Sequence, residues 1–559
     1  ETPEEDTTQA EAENQQLTWS QVVGNTTVNV TAEAGALPAD AQLSVTEITA
    51  EDEVKEIEKA VEEKAIEEQF SIKNIFSYDI KFLVDGEEVQ PGATVKVSVS
   101  LNDEKKIKDA DVYHVDENDN VENMDGSVAK NGDVEFETTH FSTYVIVNKK
   151  NDGTIDVTVE HYDNTTRDKI YADDKWEDLT VGQQVNCKKA VNWEIDHVEV
   201  TTESGETAPT PDSSGKIYLA QDATVKVYYT PSTGTTVGKP TFYDYTVKAV
   251  ADNQTWQYGY PSINQNDSYS SNASSQRITM GAYTHQYGNK YQYTWSKDGH
   301  LVNDWTESDA VIKGLLKGID QNNSVVFNYP EPGLFVNSDK NDNETGKSLR
   351  KVYTDFNLGF ERSGDTYTLK EVNNSSGKDV AKEHGYDYKT GNNFFPLDEV
   401  TYEEHSKKYK SDSNITETYN GPHNYYFGMR YEISFKLKDY IGDLNYSFKG
   451  DDDMWVVLDG GKTTENGTVD YGNVIIDLGG IHNAASADVD LWEKLFGPEY
   501  ANGASDKYGK RASLTEEQKE EEHTLTVLYL ERGAGLSNCK MNFTLPYAEV
   551  SSVTTTDLA

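Results

Sequence analysis

The chain of 559 residues has only two cysteines, Cys187 and Cys539, so no disulfide framework and no CxxC zinc pattern can be built from it. The two fall in segments read below as different domains, and a pair of isolated, buried thiols is the expectation. A run of 18 apolar residues is missing as well, which leaves no candidate for a membrane-spanning helix. Bases are scarce: 50 Lys+Arg stand against 98 Asp+Glu, a net charge of −48. Phosphate backbones and anionic lipids repel such a surface, which argues against nucleic acid and membrane surfaces as partners. Solubility and divalent cations remain as uses for the acid. Catalytic signatures are missing too, with no HExxH, no GxSxG and no useful Cys/His spacing. The "ETGKS" at 344–348 has the tail of a phosphate loop, but Asn341 stands where its first glycine belongs. The eleven histidines are scattered, and His423 and His482 are expected to serve packing or hydrogen bonding.

What is present is aromatic and β-forming. The 35 Tyr, 17 Phe and 8 Trp supply enough apolar area for folded cores, and a chain this long needs three or four of them. Long helical patterns are few and Thr, Val, Tyr and Asn are abundant, so the fold class expected is mostly β and multi-domain. Residues 1–16 read as a disordered acidic lead-in. A β-rich module follows over 17–149, interrupted by one helix at about 50–68, where Val54, Ile57, Val61 and Ala65 recur on one face. A small sandwich or β-grasp-like module is read over 150–230, opened by alternating Ile155, Val157 and Val159 and closed by Val225, Val227 and Tyr229. "PSTGTTVGKP" at 231–240 reads as a linker. One large β domain with long loops is expected over 241–548, with a short helix at "DVDLWEKLFG" and a linker tail over 549–559.

Within that domain "YSFKGDDDMWVVLDG", residues 446–460, places three aspartates between two apolar strands. A DDD run is most simply a solvated turn. Here it interrupts what reads as a buried sheet, and desolvated carboxylates without a cation are costly. Calcium, which takes six to eight oxygens from carboxylates, amides and carbonyls, suits a loop rim of this kind. Adjacent acids do not provide the separation of about 5–10 Å that glycosidase chemistry needs. Asp459 with Gly460 reads as a turn, Asp477 and His482 as the end of a strand, and Trp455 as core. Aromatics in 255–300 can stack on sugar rings or cover the domain.

These motifs carry a resemblance. "SFKGDDDMWVVLDG", "VIIDLGGIHNA" and "HTLTVLYLERGAGLSNCKMNF", with "TFYDYTV", "NNFFPLDEV" and "HNYYFGMRYEISFKL" upstream, resemble the fibro-slime branch of PA14-type β-sandwich domains over about 241–548. That resemblance implies a calcium-dependent lectin, in which two successive aspartates joined by a cis peptide bind Ca2+ and sugar hydroxyls complete its shell. Asp451 and Asp452 match the pair, Asp453 takes the place of a glycine and joins them as an expected metal ligand, and the second loop is expected to contribute Asn538 or, in second place, Glu531. The departures from the family pattern are the third aspartate and the inserted "SLTEEQKEEEH".

The N-terminal segments resemble stalk modules of Gram-positive surface proteins. "VTVEHYD" to "VKVYYTP" is similar to mucin-binding-protein repeats, and "ALPADAQLSVTEIT" to "TTHFSTYVIV" to a module of gut clostridial adhesins. Such stalks often carry Lys–Asn or Lys–Asp isopeptide crosslinks in place of disulfides. The resemblances together imply a monomeric, cell-wall-attached extracellular adhesin whose partner is a host or dietary glycan or glycoprotein, mucin included. The opening "ETPEEDTTQ", without Met or signal peptide, is expected of a segment of a longer secreted protein. A structural or protein-binding surface component, with calcium used for rigidity or not at all, is the alternative. A carbohydrate-active enzyme is a third reading, against which the lack of an identifiable acid–base pair counts.

Overall fold

The computed structural model describes residues 16–101, 107–116, 120–150, 153–245, 311, 313–328, 334–341, 348–398, 423–424, 427–480, 482–531 and 537–548. The lead-in over 1–15, the tail over 549–559 and the aromatics at 255–300 lie outside the described residues. The chain is mostly β, with predominantly antiparallel sheets, and divides into two compact units, residues 1–230 and 231–559.

The first unit begins with two facing sheets. Thr26–Ala32 and Val95–Leu101 lie side by side in one, Ser71–Val84 and Thr143–Lys150 in the other. Their alternating residues, Val28, Val30, Val97 and Val99 against Ile80, Phe82, Val112 and Ile146, share one core. Helix Glu51–Glu68 carries Glu51, Asp52 and Glu53 in its first turn, where the helix dipole favours acid, and ends at Gln69 in a left-handed conformation. It buries Ile57, Val61 and Ala65. A second sheet system follows, in which Thr154–Asp163 pairs antiparallel with Lys169–Thr180 and parallel with Ala223–Pro231. The helix also reaches this part, since Gln221 Nε2 donates to Glu62 Oε1 at 2.6 Å.

The second unit is a sandwich of a six-stranded and a seven-stranded sheet. In the first sheet the order is Thr233–Gly238, Asn357–Ser363, Thr366–Asn373, Cys539–Thr544, Asn445–Gly450, Ala485–Asp490. In the second, Thr241–Asp244, Phe427–Phe435, His523–Glu531, Asp453–Leu458 and Asn473–Leu478 are neighbours, with Ser348–Tyr353 and Lys340–Asn341 beyond. Aromatic pairs tie the layers together: Phe360 stacks on Tyr431 at 5.8 Å and Phe448 meets Tyr529 at 6.4 Å.

The segment read as a linker is instead structural, because Thr233–Gly238 is an edge strand paired with Asn357–Ser363. Its glycines serve close approach rather than flexibility. A Cβ on Gly238 would stand 2.5 Å from Tyr431 Oη, and one on Gly234 would stand 3.0 Å from the Arg362 guanidinium. Helix Leu491–Phe496 falls within "DVDLWEKLFG", capped by the Asp490 side chain. The acidic insertion adds helix Glu516–Glu520, begun by a Thr515/Gln518 capping box.

Candidate metal centre

Two chain crossovers between the sheets of the sandwich lie next to each other. Strand Asn445–Gly450 ends in the six-stranded sheet, Asp451 and Asp452 carry the chain across, and strand Asp453–Leu458 begins in the other. Strand His523–Glu531 ends beside that crossing, and Ser537 and Asn538 lead back into Cys539–Thr544 of the first sheet. The pairing of Asp453 with Leu530 sets Glu531 next to Asp452 in register. Backbone bonds fasten the crossovers to each other and to the following loop: Asp451 N–H donates to Asn538 O at 3.1 Å and Asp452 N–H to His482 O at 3.4 Å.

The result is a buried group of acids. Asp451 is 4% exposed, Asp452 3% and Glu531 0%. Asn538 Nδ2 donates to Asp451 Oδ2 at 3.0 Å. Glu531 Oε2 accepts from Tyr529 Oη at 3.3 Å, and that phenol shares a 2.7 Å hydrogen bond with Ser537 Oγ. Among the described residues, Glu531 Oε1 is buried with no hydrogen-bond partner. Desolvation, then the Asp452 charge, pushes the Asp451 carboxyl up to about 8, against the hydrogen bond from Asn538. Burial, then Asp452 and Asp451, raises Glu531 well above the usual carboxylate range. Three acids crowded out of water disfavour one another's charge, and protons or a cation are the two ways to relieve them.

The third aspartate also has a backbone partner. Asp453 Oδ1 accepts the Gly480 N–H at 2.6 Å, a bond that anchors the loop after Asn473–Leu478. The Asp451–Asp452 peptide is trans, which corrects the cis bond implied by the resemblance; Asp452 turns the chain instead with a φ of 55°. Tyr529 and Ser537 carried no sequence signal of their own, although Tyr529 lies two residues before Glu531 on the same strand face.

The neighbouring polar residues have their own partners. Trp455 is fully buried and donates Nε1–H to Asp477 Oδ1 at 3.1 Å. Asp459 accepts from Thr524 N–H at 2.9 Å and pairs with His523 Nδ1 at 2.7 Å. His482 Nδ1 meets Asn483 O at 2.7 Å, and His423 Nδ1 meets Asp398 Oδ2 at 2.6 Å.

Among the described residues, no three His, Cys, Asp or Glu side chains already stand in position to share one metal ion. The donor chemistry nonetheless fits a hard cation, with three carboxylates and an amide around the unpartnered Glu531 Oε1. Asn538 presents its amide N–H to Asp451, so its oxygen would face an ion only after a flip.

No family model matches the chain. Similar curated proteins include protein psiJ of Dictyostelium discoideum, 35% identical over 100 residues, which cover 18% of this chain and 12% of psiJ. Protein psiC of the same organism is 38% identical over 102 residues, covering 18% of this chain and 16% of psiC. The chain thus spans under a fifth of the length of these relatives. Among the described residues, no helix is long and apolar enough to cross a membrane.

Proposed function

We propose that the chain is part of an extracellular, cell-wall-attached adhesin whose C-terminal sandwich is PA14-like, of the fibro-slime branch, and binds calcium. Asp451, Asp452 and Glu531 would hold the ion, joined by Asn538 after its amide turns. Glycan hydroxyls on a host or dietary glycoprotein would replace water on that ion, and the N-terminal modules would serve as stalk. The supporting observation is Glu531, a wholly buried carboxylate with one oxygen unpartnered, beside two further buried acids.

The same burial favours a second reading. With Asp451 and Asp452 at 4% and 3% exposure, an ion among them is poorly placed to meet a sugar and would instead brace the two crossovers. Calorimetric calcium titration of the wild-type chain and of Asp452→Ala, each with a matched thermal melt, tests the site. Saturable binding that the variant loses is the expected result; no binding by the wild type overturns both readings. A glycan array in calcium and in EDTA then divides them: calcium-dependent glycan binding supports the lectin, and calcium binding with a bare array supports the brace. Reducing-sugar release from a polysaccharide panel would move the assignment to an enzyme.

A further inference from the structure

A different cation chemistry is built into the first unit. His114 is the penultimate residue of strand Ala110–Val115, and His140 lies in the short connection leading to Thr143–Lys150. Their rings meet edge to face, with centroids 4.2 Å apart and planes at 88°, and the two Nε2 atoms are 3.0 Å apart. His114 Nε2 also lies 2.7 Å from Ser142 Oγ. A neutral imidazole nitrogen is either one donor or one acceptor, so a single atom here serves two partners. A cavity of about 360 Å³ opens beside it, lined by His114, Ser142, Asp116 and, from helix Glu51–Glu68, Glu53 and Glu56.

We propose that His114 and His140 bind a divalent ion of the zinc class through their Nε2 atoms, with a carboxylate from Glu53 or Glu56 as the third protein ligand. Two nitrogens at about 2.0–2.1 Å from a tetrahedral ion stand about 3.3 Å apart, so the nitrogens open by about 0.3 Å while the rings, whose centroids are 4.2 Å apart, swing outward until both lone pairs point at the ion. Asp116 is engaged through both oxygens with Asn120, at 2.9 and 2.7 Å, and contributes charge rather than a ligand. Glu53 and Glu56 lie exposed, three residues apart on the helix, where a change of rotamer turns either toward the cavity. Imidazole with one carboxylate suits zinc, nickel or copper better than calcium, which separates this pair from the all-oxygen cluster of the second unit.

The test is calorimetric titration of the full chain with zinc chloride in excess calcium, repeated on His140→Ala and on His140→Gln. His140 is only half-buried, and the melt of each variant without zinc reports whether it remains folded. The expected result is one zinc per chain, bound at least tenfold more weakly by both variants, with a zinc-induced rise in Tm that they lose. Glu53→Gln/Glu56→Gln together should weaken zinc binding without changing the zinc-free melt. Lack of saturable zinc uptake by the wild type, or uptake unchanged in folded His140 variants, overturns the proposal.

Discussion

Two places in the C-terminal sandwich bury charge, and they do it in opposite ways. Arg511, whose side chain is wholly buried, donates to the carbonyls of Ile441, Gly442 and Tyr500, to Asn502 Oδ1 and to Asp443 Oδ1, all within 3.1 Å. Its guanidinium also lies 4.7 Å from the Trp492 ring. The acids at Asp451, Asp452 and Glu531 are as deeply buried, yet Asp451 accepts from the neutral Asn538 amide and Glu531 from the neutral Tyr529 phenol, and among the described residues one oxygen of Glu531 has no hydrogen-bond partner. A buried charge with every hydrogen bond satisfied is a fastening, here of the helical insertion over 491–520 to the segment after Phe427–Phe435. A buried charge left short of partners has a cost that folding alone does not explain, and it marks the place to look for an ion.

The largest effect should come from breaking the satisfied side. Arg511→Met takes the guanidinium donors from the carbonyls of Ile441 and Tyr500, while Gly442 O keeps the Trp492 Nε1–H at 2.7 Å, and it should destabilise the sandwich by about 3–5 kcal/mol in denaturant unfolding. A cost below about 1 kcal/mol would mean that the partnering is incidental and that the contrast teaches nothing.

The unsatisfied side should respond with the opposite sign. The folded pKa of Glu531 is raised, so the native chain keeps a proton that the unfolded chain releases above about 4.5. Stability contributed this way is complete below that pH and is lost as pH rises through the folded value. In EDTA the wild-type Tm should therefore fall between pH 5 and pH 8, and Glu531→Gln should flatten the fall. At pH 8 the variant should exceed the wild type by about 1–3 kcal/mol in EDTA. Saturating calcium should reverse the order, because the variant lacks the carboxylate that the ion uses. A variant less stable than the wild type in EDTA at pH 8 would remove the argument that these acids await a cation.

Sequence alone conveyed the β class, since alternation such as Val28–Val30 and Val97–Val99 is a local signal. It also marked the helix, where Ile57, Val61 and Ala65 repeat on one face and the structure has Glu51–Glu68. It failed where a residue's role depends on what packs against it. The glycines at 234 and 238 looked like flexibility because Arg362 and Tyr431, which crowd them, are more than a hundred residues away. At the acid cluster the interrupted sheet was legible, but the direction of each aspartate was not. Asp453 begins a strand and turns to Gly480, and adjacency in sequence cannot reveal that. Glu531 read as a secondary ligand because its neighbours come from other strands; the pairing of Asp453 with Leu530 is what brings it to Asp452.

The smallest effect extends the comparison to polar groups that are satisfied but exposed. Thr515 caps helix Glu516–Glu520, accepting from Gln518 N–H at 3.2 Å while Gln518 Oε1 accepts from Thr515 N–H at 3.0 Å. Water can replace these partners, so their loss should matter far less than that of the buried Arg511 set. Thr515→Ala should cost about 0.5–1 kcal/mol, and Thr515→Ser, which keeps the accepting oxygen, only a few tenths. Hydrogen exchange should confine the change to amides of the 515–521 segment, leaving strand His523–Glu531 protected. Loss of protection along that strand would show that the acidic insertion helps hold the strand end on which Glu531 sits. The fastening and the candidate cation site would then be one cooperative element rather than two.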